Sequence, residues 1–323
     1  MKVWEINGKT SIKMHDLLQI SSVSQAMKAR LEVVFTLHQL DSFDPEKITH
    51  LITNSHDGVN PELMASLTNL KVISSYGVGY DAVDANEAAR RGIIVTHTPN
   101  VLNEEVATTA LLLMLSCYRE VLRDDTFVRS GSWKAQGSAP LTRSADNQTV
   151  GILGLGRIGQ SIANKLAPWN TKIVYHSRNK KDLAYTYYEN LTEMARECDV
   201  LICVTPGSPS TNKIVNAEVL NALGPNGTLI NVSRGSVVDE AALISALQSG
   251  ALGWAGLDVF EAEPNVPKAL RDLPNTVLLP HVGSGTVETR AAMGDLTVEN
   301  LLQHLKDGTV FSAVPECTHL LAT

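Results

Sequence analysis

Cysteine is scarce and unpatterned. The 323 residues hold four, Cys117, Cys198, Cys203 and Cys317, and no two of them form a C-x-x-C pair. With no histidine beside Cys198 or Cys203, a zinc centre is not expected. The four read as reduced packing thiols, and no metal site is expected elsewhere. A basic excess is also missing. A formal net charge of −7 leaves nothing to neutralise a phosphate backbone, which excludes a general nucleic-acid binder. The longest apolar run, residues 110–115, is far shorter than the roughly 20 residues that span a bilayer. Residues 1–6 read as a strand without the apolar core of a secretory signal, so a cytoplasmic protein without a membrane partner is expected. Internal repeats and low-complexity tracts are absent.

What is present is an ordinary globular balance, 44% hydrophobic and 19% charged residues, in a chain long enough for two domains. Short Val/Ile/Leu runs alternate with helix-length segments, the signature of α/β folds with parallel sheets. Candidate strands fall into two sets, 3–6, 33–37, 51–53, 71–74 and 93–96, then 149–153, 172–176, 200–204, 228–232, 253–257 and 277–279. Between the sets a single long helix is expected over 103–130, its stretch 106–115 apolar nearly all round and therefore buried. The polar segment 131–147 reads as a loop or arm. A last helix, 286–307, returns the chain toward the first domain.

The most informative motif is Gly154-Leu155-Gly156-Arg157-Ile158-Gly159, lying between a strand pattern (148–153) and a helix pattern (160–166). Strand, tight glycine turn and helix N-terminus together cradle a pyrophosphate, with unpaired N–H groups and a partial positive charge aimed at the anion. A second turn, Gly77-Val78-Gly79-Tyr80-Asp81-Ala82, fits the permissive form of the same pattern. Strand 93–96 after it ends at His97-Thr98-Pro99, without an acid or base suited to a ribose, and the tract Ser74-Ser75-Tyr76 before it is polar, as in an open pocket wall. It reads equally as an ordinary βα turn or as a pair of backbone donors, Val78 and Gly79, for a small anion. The predicted architecture is α/β, two Rossmann/flavodoxin-like domains with parallel sheets and a cleft between them. The first, discontinuous, is substrate-binding (1–100 and 285–323); the second is the dinucleotide-binding Rossmann domain (101–284).

About 20 residues past the glycines, an NAD-specific site carries a carboxylate for the ribose 2′-hydroxyl. This chain reads His176-Ser177-Arg178-Asn179-Lys180-Lys181 there, with no acid before Asp182. Ser177 and Arg178 suit a 2′-phosphate. A charge-assisted hydrogen bond contributes about 1.5–3 kcal/mol, roughly a tenfold to hundredfold preference. NADPH/NADP is therefore predicted over NADH. Further cofactor contacts are expected from Thr205, Pro206, Val232 and Ser233, where strands of the second set end.

Three more segments follow such strand ends. Arg234, in Asn231-Val232-Ser233-Arg234-Gly235-Ser236, is placed to grip a carboxylate bidentately or to form a surface salt bridge. Glu263, in Asp258-Val259-Phe260-Glu261-Ala262-Glu263-Pro264, is placed to orient a histidine or to be a solvated loop acid. His281, in Pro280-His281-Val282-Gly283-Ser284, is an acid/base candidate at neutral pH or a packed loop residue. An arginine, a glutamate and a histidine at three successive strand ends of one nucleotide-binding sheet favour catalysis.

These segments resemble the D-isomer-specific 2-hydroxyacid dehydrogenase family over nearly the whole chain, in 75–81, 98–102, the glycine turn, 231–240, 256–264 and 281–284. The resemblance implies that Arg234 holds the substrate carboxylate and carbonyl, that His281 protonates the carbonyl oxygen, and that Glu263 keeps His281 protonated and aligned. It also implies that Val78 and Gly79 donate to the carboxylate, and that Asp258, with Gly283 and Ser284 nearby, lies beside the nicotinamide amide. Ser177-Arg178 is similar to the NADPH-using glyoxylate/hydroxypyruvate reductase branch, an oxidoreductase acting on small 2-ketoacids. The chain departs from the family pattern at Thr108-Thr109, where an acid is common. Family members are commonly dimers built partly through the segment resembling 119–148, in which Trp133 reads as a residue reaching toward a partner's active site or, more simply, as a buried arm anchor. Two other readings stand beside this one: a dinucleotide-sensing corepressor-like binding protein, and a phosphoglycerate dehydrogenase-like enzyme, disfavoured because the chain ends soon after the last helix. Glu263 disfavours a formate dehydrogenase, whose pattern resembles glutamine there.

Overall fold

The computed structural model describes residues 15–321. The expected strand at 3–6 lies outside them. The described chain divides into two compact units, residues 15–101 with 290–321 and residues 102–289.

The first unit carries β1 (His15–Gln19), α1 (Gln25–Leu31), β2 (Phe35–Gln39), β3 (Ile48–Asn54), α2 (Pro61–Ser66), β4 (Val72–Tyr76), α3 (Ala85–Arg90) and β5 (Ile94–Thr96). Its sheet has the order β2-β1-β3-β4-β5 with every ladder parallel, the flavodoxin-like arrangement. Polar caps start its helices, as Ser24, Asn60 and Asp84 each accept a first-turn N–H. β1 was not foreseen, because its sequence His15-Asp16-Leu17-Leu18-Gln19 is polar at three of five positions. It is nevertheless central, paired on both sides, with Leu17 and Leu18 fully buried.

The second unit begins with α4 (Asn103–Tyr118), α5 (Val121–Arg129) and α6 (Ser132–Gln136). It continues through β6 (Thr149–Leu153), α7 (Arg157–Leu166), β7 (Lys172–His176), β8 (Thr186–Tyr187), α8 (Leu191–Arg196), β9 (Val200–Cys203) and α9 (Ala217–Leu223). Then come β10 (Thr228–Asn231), α10 (Glu240–Ser249), β11 (Trp254–Leu257), α11 (Lys268–Arg271) and β12 (Thr276–Leu278); α12 (Val287–Asp307) follows and from residue 290 belongs to the first unit. The parallel sheet runs β12-β11-β10-β9-β6-β7-β8. Counted from β6 this is the Rossmann order 3-2-1-4-5-6 with one more strand, and the order reverses between β6 and β9. The short β8 was not foreseen.

Four expectations need correction. The helix expected over 103–130 is two helices, because Glu120 takes a left-handed backbone (φ 44°) and Tyr118 O accepts instead from Arg143 N–H at 3.2 Å. Arg143 also lays its guanidinium 4.2 Å over the Tyr118 ring. Apolar periodicity cannot register a single left-handed residue. The stretch 106–115 is buried on one side only, since Leu112 stays half exposed. Trp133 is not anchored within its own chain: it is 61% exposed on α6, a helix with no buried residue. The polar tract Ser74-Ser75 is not a pocket wall either. Both residues are fully buried, and Ser74 Oγ donates to Thr297 O while accepting from Thr96 Oγ1, each at 3.0 Å.

All four cysteines are buried free thiols. Burial pushes Cys117, Cys198 and Cys203 up to about 12, so they stay protonated at neutral pH. Among the described residues, no helix is long and apolar enough to cross a membrane.

His50 on β3 is 1% exposed and hydrogen-bonded at both ring nitrogens, to Thr49 Oγ1 at 2.9 Å and to His304 Nδ1 at 3.0 Å. Burial first, then His304, His15 and Lys71, lowers its pKa to about 3. The unfolded chain binds a proton near 6.5 that the folded chain refuses, so stability is full above that pH and is lost as pH falls toward 3. Between pH 7.5 and 5 this one group should remove about 2 kcal/mol. Denaturant titrations at the two pH values should show a smaller loss in His50→Phe; an equal loss would exclude His50 as the source.

Candidate active site

The glycine turn closes β6 and opens α7, and each glycine has its own reason. Gly154 has φ 103°, and a Cβ there would lie 2.8 Å from Thr205 N, so the turn fits against the end of β9 where the strand order reverses. Gly159 packs α7 onto the turn, since its Cβ would meet Gly154 O at 2.3 Å. A Cβ on Gly156 would meet nothing within 4 Å, and the residue is exposed at the N-cap of α7 without a side-chain capping bond. Other helices of this unit are capped by Asn190, Asn216 and Asp239. The first turn of α7, at Arg157 and Ile158, therefore offers uncapped N–H groups beside open space, which fits a dinucleotide pyrophosphate.

β7 lies next to β6, so Ser177 and Arg178 follow a neighbouring strand end. Arg178 is exposed, and no hydrogen bond or ion pair engages it among the described residues. Ser177 Oγ donates to Asn179 O at 2.7 Å, which curls the turn. Thr205 backs onto Gly154, and Pro206 O accepts from Thr211 Oγ1 at 2.8 Å.

The remaining residues come together through backbone rather than through side chains alone. Asn231 ends β10, 1% exposed; its Oδ1 accepts from Ser233 N–H at 3.0 Å and Ser233 Oγ at 2.9 Å, while its Nδ2 donates to Arg234 O at 3.0 Å. Val232 is buried beneath this turn. Arg234 Nη1 donates to Ser233 O at 2.8 Å. A Cβ on Gly235 would lie 1.9 Å from the Phe260 carbonyl, so the Arg234 turn and the loop after β11 meet backbone to backbone.

In that loop Glu263 Oε1 accepts from Phe260 N–H at 2.9 Å, and its Oε2 accepts from His281 Nδ1 at 2.8 Å. The two side chains are 20% and 26% exposed, which leaves them reachable. A carboxylate only accepts, so Nδ1 carries the hydrogen. His281 itself is left-handed, φ 52°. Asp258 holds it so: its carboxylate accepts from Val282 N–H at 2.7 Å and Gly283 N–H at 2.8 Å, and its carbonyl accepts from His281 N–H at 2.8 Å. Burial raises the Asp258 carboxyl above its usual range, opposed by those two N–H donors. Gly283 admits the carboxylate because a Cβ there would stand 2.9 Å from Oδ2, and Thr109 Oγ1 donates to Gly283 O at 3.3 Å. Ser284 follows, half-buried.

Arg234, Glu263 and His281 thus stand on adjoining loops of the second unit, and Val78 and Gly79 belong to the first. Sequence reasoning missed Asn231 as a clasp. Its signal was an amide two and three residues before a serine and an arginine, visible only once β10 is known to end there.

Residues 111–283 match the family model described as D-isomer specific 2-hydroxyacid dehydrogenase, NAD binding domain. The chain is 46% identical over 270 residues to a hydroxyphenylpyruvate reductase of Plectranthus scutellarioides, covering 83% of this chain and 86% of that one. It is 43% identical over 309 residues to a glyoxylate/hydroxypyruvate reductase of Arabidopsis thaliana, covering 92% and 98%. Its fold matches the NADPH-dependent glyoxylate/hydroxypyruvate reductase of Sinorhizobium meliloti, solved with NADP and malonate, at a TM-score of 0.89 and 43% identity over 94% and 98% of the two chains.

Gly235→Ala should cost about 1–3 kcal/mol by forcing the Arg234 turn off the Phe260 carbonyl. Thermal denaturation checks this, and an unchanged melting temperature would mean that the two loops do not need their contact.

Proposed function

Because the chain belongs to the D-isomer specific 2-hydroxyacid dehydrogenase family, we propose that it is an NADPH-dependent reductase of small 2-ketoacids, of the glyoxylate and hydroxypyruvate type, yielding D-2-hydroxyacids. The observation that carries this reading is the His281 Nδ1–Glu263 bond on loops adjoining the Arg234 turn, in a Rossmann-ordered sheet.

NADPH, when bound, supplies a hydride. Gly154, Gly156, Arg157, Ile158 and Gly159 hold its pyrophosphate, Ser177 and Arg178 its 2′-phosphate, and Thr205, Pro206, Val232, Ser233, Asp258, Gly283 and Ser284 the remainder. Arg234 takes the substrate carboxylate and carbonyl oxygen in a charge-assisted grip, and Val78 and Gly79 add backbone N–H donors. His281 delivers the proton on Nε2 to the carbonyl oxygen as it becomes a hydroxyl. Glu263 compensates the imidazolium charge and fixes the ring. Residues 1–101 with 290–323 are assigned to substrate, and 102–289 to the dinucleotide.

A homodimer is part of the same proposal. Leu112, Val121, Leu122, Val128, Trp133 and Leu141 form an exposed apolar series on α4, α5, α6 and the following loop, of the kind that marks protein interfaces. A cytoplasmic location fits four buried, protonated thiols.

Glyoxylate and hydroxypyruvate assayed with NADPH and NADH test the reading directly; absence of turnover with both ketoacids would favour a dinucleotide-binding protein without catalysis. His281→Asn should lower kcat by about 10²–10⁴-fold with normal NADPH binding. Arg178→Asp should raise the KM for NADPH roughly tenfold to hundredfold and leave that for NADH nearly unchanged. Equal effects on both cofactors would remove Arg178 from the 2′-phosphate site. Leu122→Asp with Val128→Asp should halve the mass in light scattering, and an unaltered mass would place any interface elsewhere.

A further inference from the structure

His97 lies just past β5, in a segment that contributes nothing to the chemistry above. Its backbone is anchored to the far end of the chain: His97 N–H donates to Ser312 O at 3.2 Å, and Ser312 Oγ donates to His97 O at 2.7 Å. From that anchor two consecutive donors reach the loop after β4. Thr98 N–H donates to Gly77 O at 2.8 Å, and His97 Nδ1 bonds to Val78 O at 2.8 Å. A carbonyl only accepts, so Nδ1 carries the hydrogen.

In a trans peptide the carbonyl of one residue and the N–H of the next point in opposite directions. The Gly77–Val78 and Val78–Gly79 peptides are both trans. Holding Gly77 O therefore turns Val78 N–H the other way, and holding Val78 O does the same for Gly79 N–H. Two successive N–H groups are aimed to one side, away from the His97 segment, and neither makes a hydrogen bond among the described residues. Successive N–H groups so aligned form an anion-binding concavity. Gly77, at φ 154° with room for a Cβ only against Ser55 Oγ at 3.4 Å, lets the chain enter this arrangement.

The His97 ring is braced in turn. Tyr80 meets it edge-on at 5.4 Å between centroids, and Tyr80 Oη donates to Glu316 Oε2 at 3.1 Å. Burial, with Glu316 beside it, pushes the Tyr80 phenol up to about 12, so it remains a donor at any working pH.

The geometry points to His97 as a positioning residue for substrate: by gripping Val78 O it aims the Gly79 N–H, beside that of Val78, at the substrate carboxylate. This rests on the reductase reading for the identity of the anion, and on the structure alone for the orientation of the peptide.

The test compares His97→Leu, which removes the donor, with His97→Asn, whose amide nitrogen hangs from Cγ as Nδ1 does. His97→Leu should raise the KM for glyoxylate about fivefold to tenfold, the loss of one hydrogen bond's worth of alignment, with the KM for NADPH unchanged. His97→Asn should restore most of the difference. Should His97→Leu fail to fold, His97→Asp serves in its place, since it is isosteric with His97→Asn but sets only acceptors against Val78 O. Calorimetric binding of oxalate to the NADPH-loaded full chain gives a readout that needs no turnover. Weaker oxalate binding in His97→Leu supports the role even if wild type reduces no ketoacid, an outcome that would sink only the reductase reading. Equal changes in the KM of ketoacid and NADPH, or no change in either, or no rescue by His97→Asn, would overturn it.

Discussion

The hold of the Asp258 carboxylate on the N–H groups of Val282 and Gly283 is the constraint from which the candidate active site follows. A histidine in left-handed backbone costs of order 1 kcal/mol or more and persists only where its surroundings impose it. Asp258 does so from a strand end, buried and hydrogen-bonded. With the backbone set, His281 Nδ1 meets Glu263 Oε2. Asp258 N–H in turn donates to Asn231 O at 2.9 Å, which ties this loop to the strand carrying the Arg234 turn.

The same device recurs. Asn231 clasps Ser233 and Arg234 by their backbone, Glu263 spends one oxygen on Phe260 N–H, and in the first unit His97 grips Val78 O. In each case a side chain fixes a loop by bonding main chain. Such bonds are short in reach and define a peptide plane, so the functional groups they serve are aimed by the scaffold. Reducing a ketoacid needs an acid, a cation and anion donors placed to within a fraction of an ångström, and loops without such clasps would spread those positions.

The cofactor side of the second unit is built differently. There the backbone itself is the ligand-binding group, and glycine is required for lack of a side chain: at Gly156 to leave space, and at Gly154 and Gly159 to let strand, turn and helix touch. In the proposed reading, selectivity between phosphorylated and unphosphorylated ribose comes from Ser177 and Arg178 on the adjacent strand end, where a solvated guanidinium suffices for a charged partner.

Much of this was legible in the chain. Alternating apolar runs gave two parallel sheets, and most strands lie within one or two residues of where the pattern puts them, because buried parallel strands are continuously apolar. The glycine turn and the strand-end arginine, glutamate and histidine were visible because each sits directly after such a run. β1 escaped notice since its polar residues are paid for by neighbours far along the sequence, and the break at Glu120 because one left-handed residue leaves no periodic trace. Residue types and their order along the chain are local properties, and the sequence determined those: a dinucleotide turn, the three chemical side chains, the absence of an acid after β7. Which main-chain groups Asp258 and His97 grip, and hence how the His281 backbone and the Gly79 N–H are set, was decided only by tertiary structure, because those bonds join segments brought side by side by the sheets.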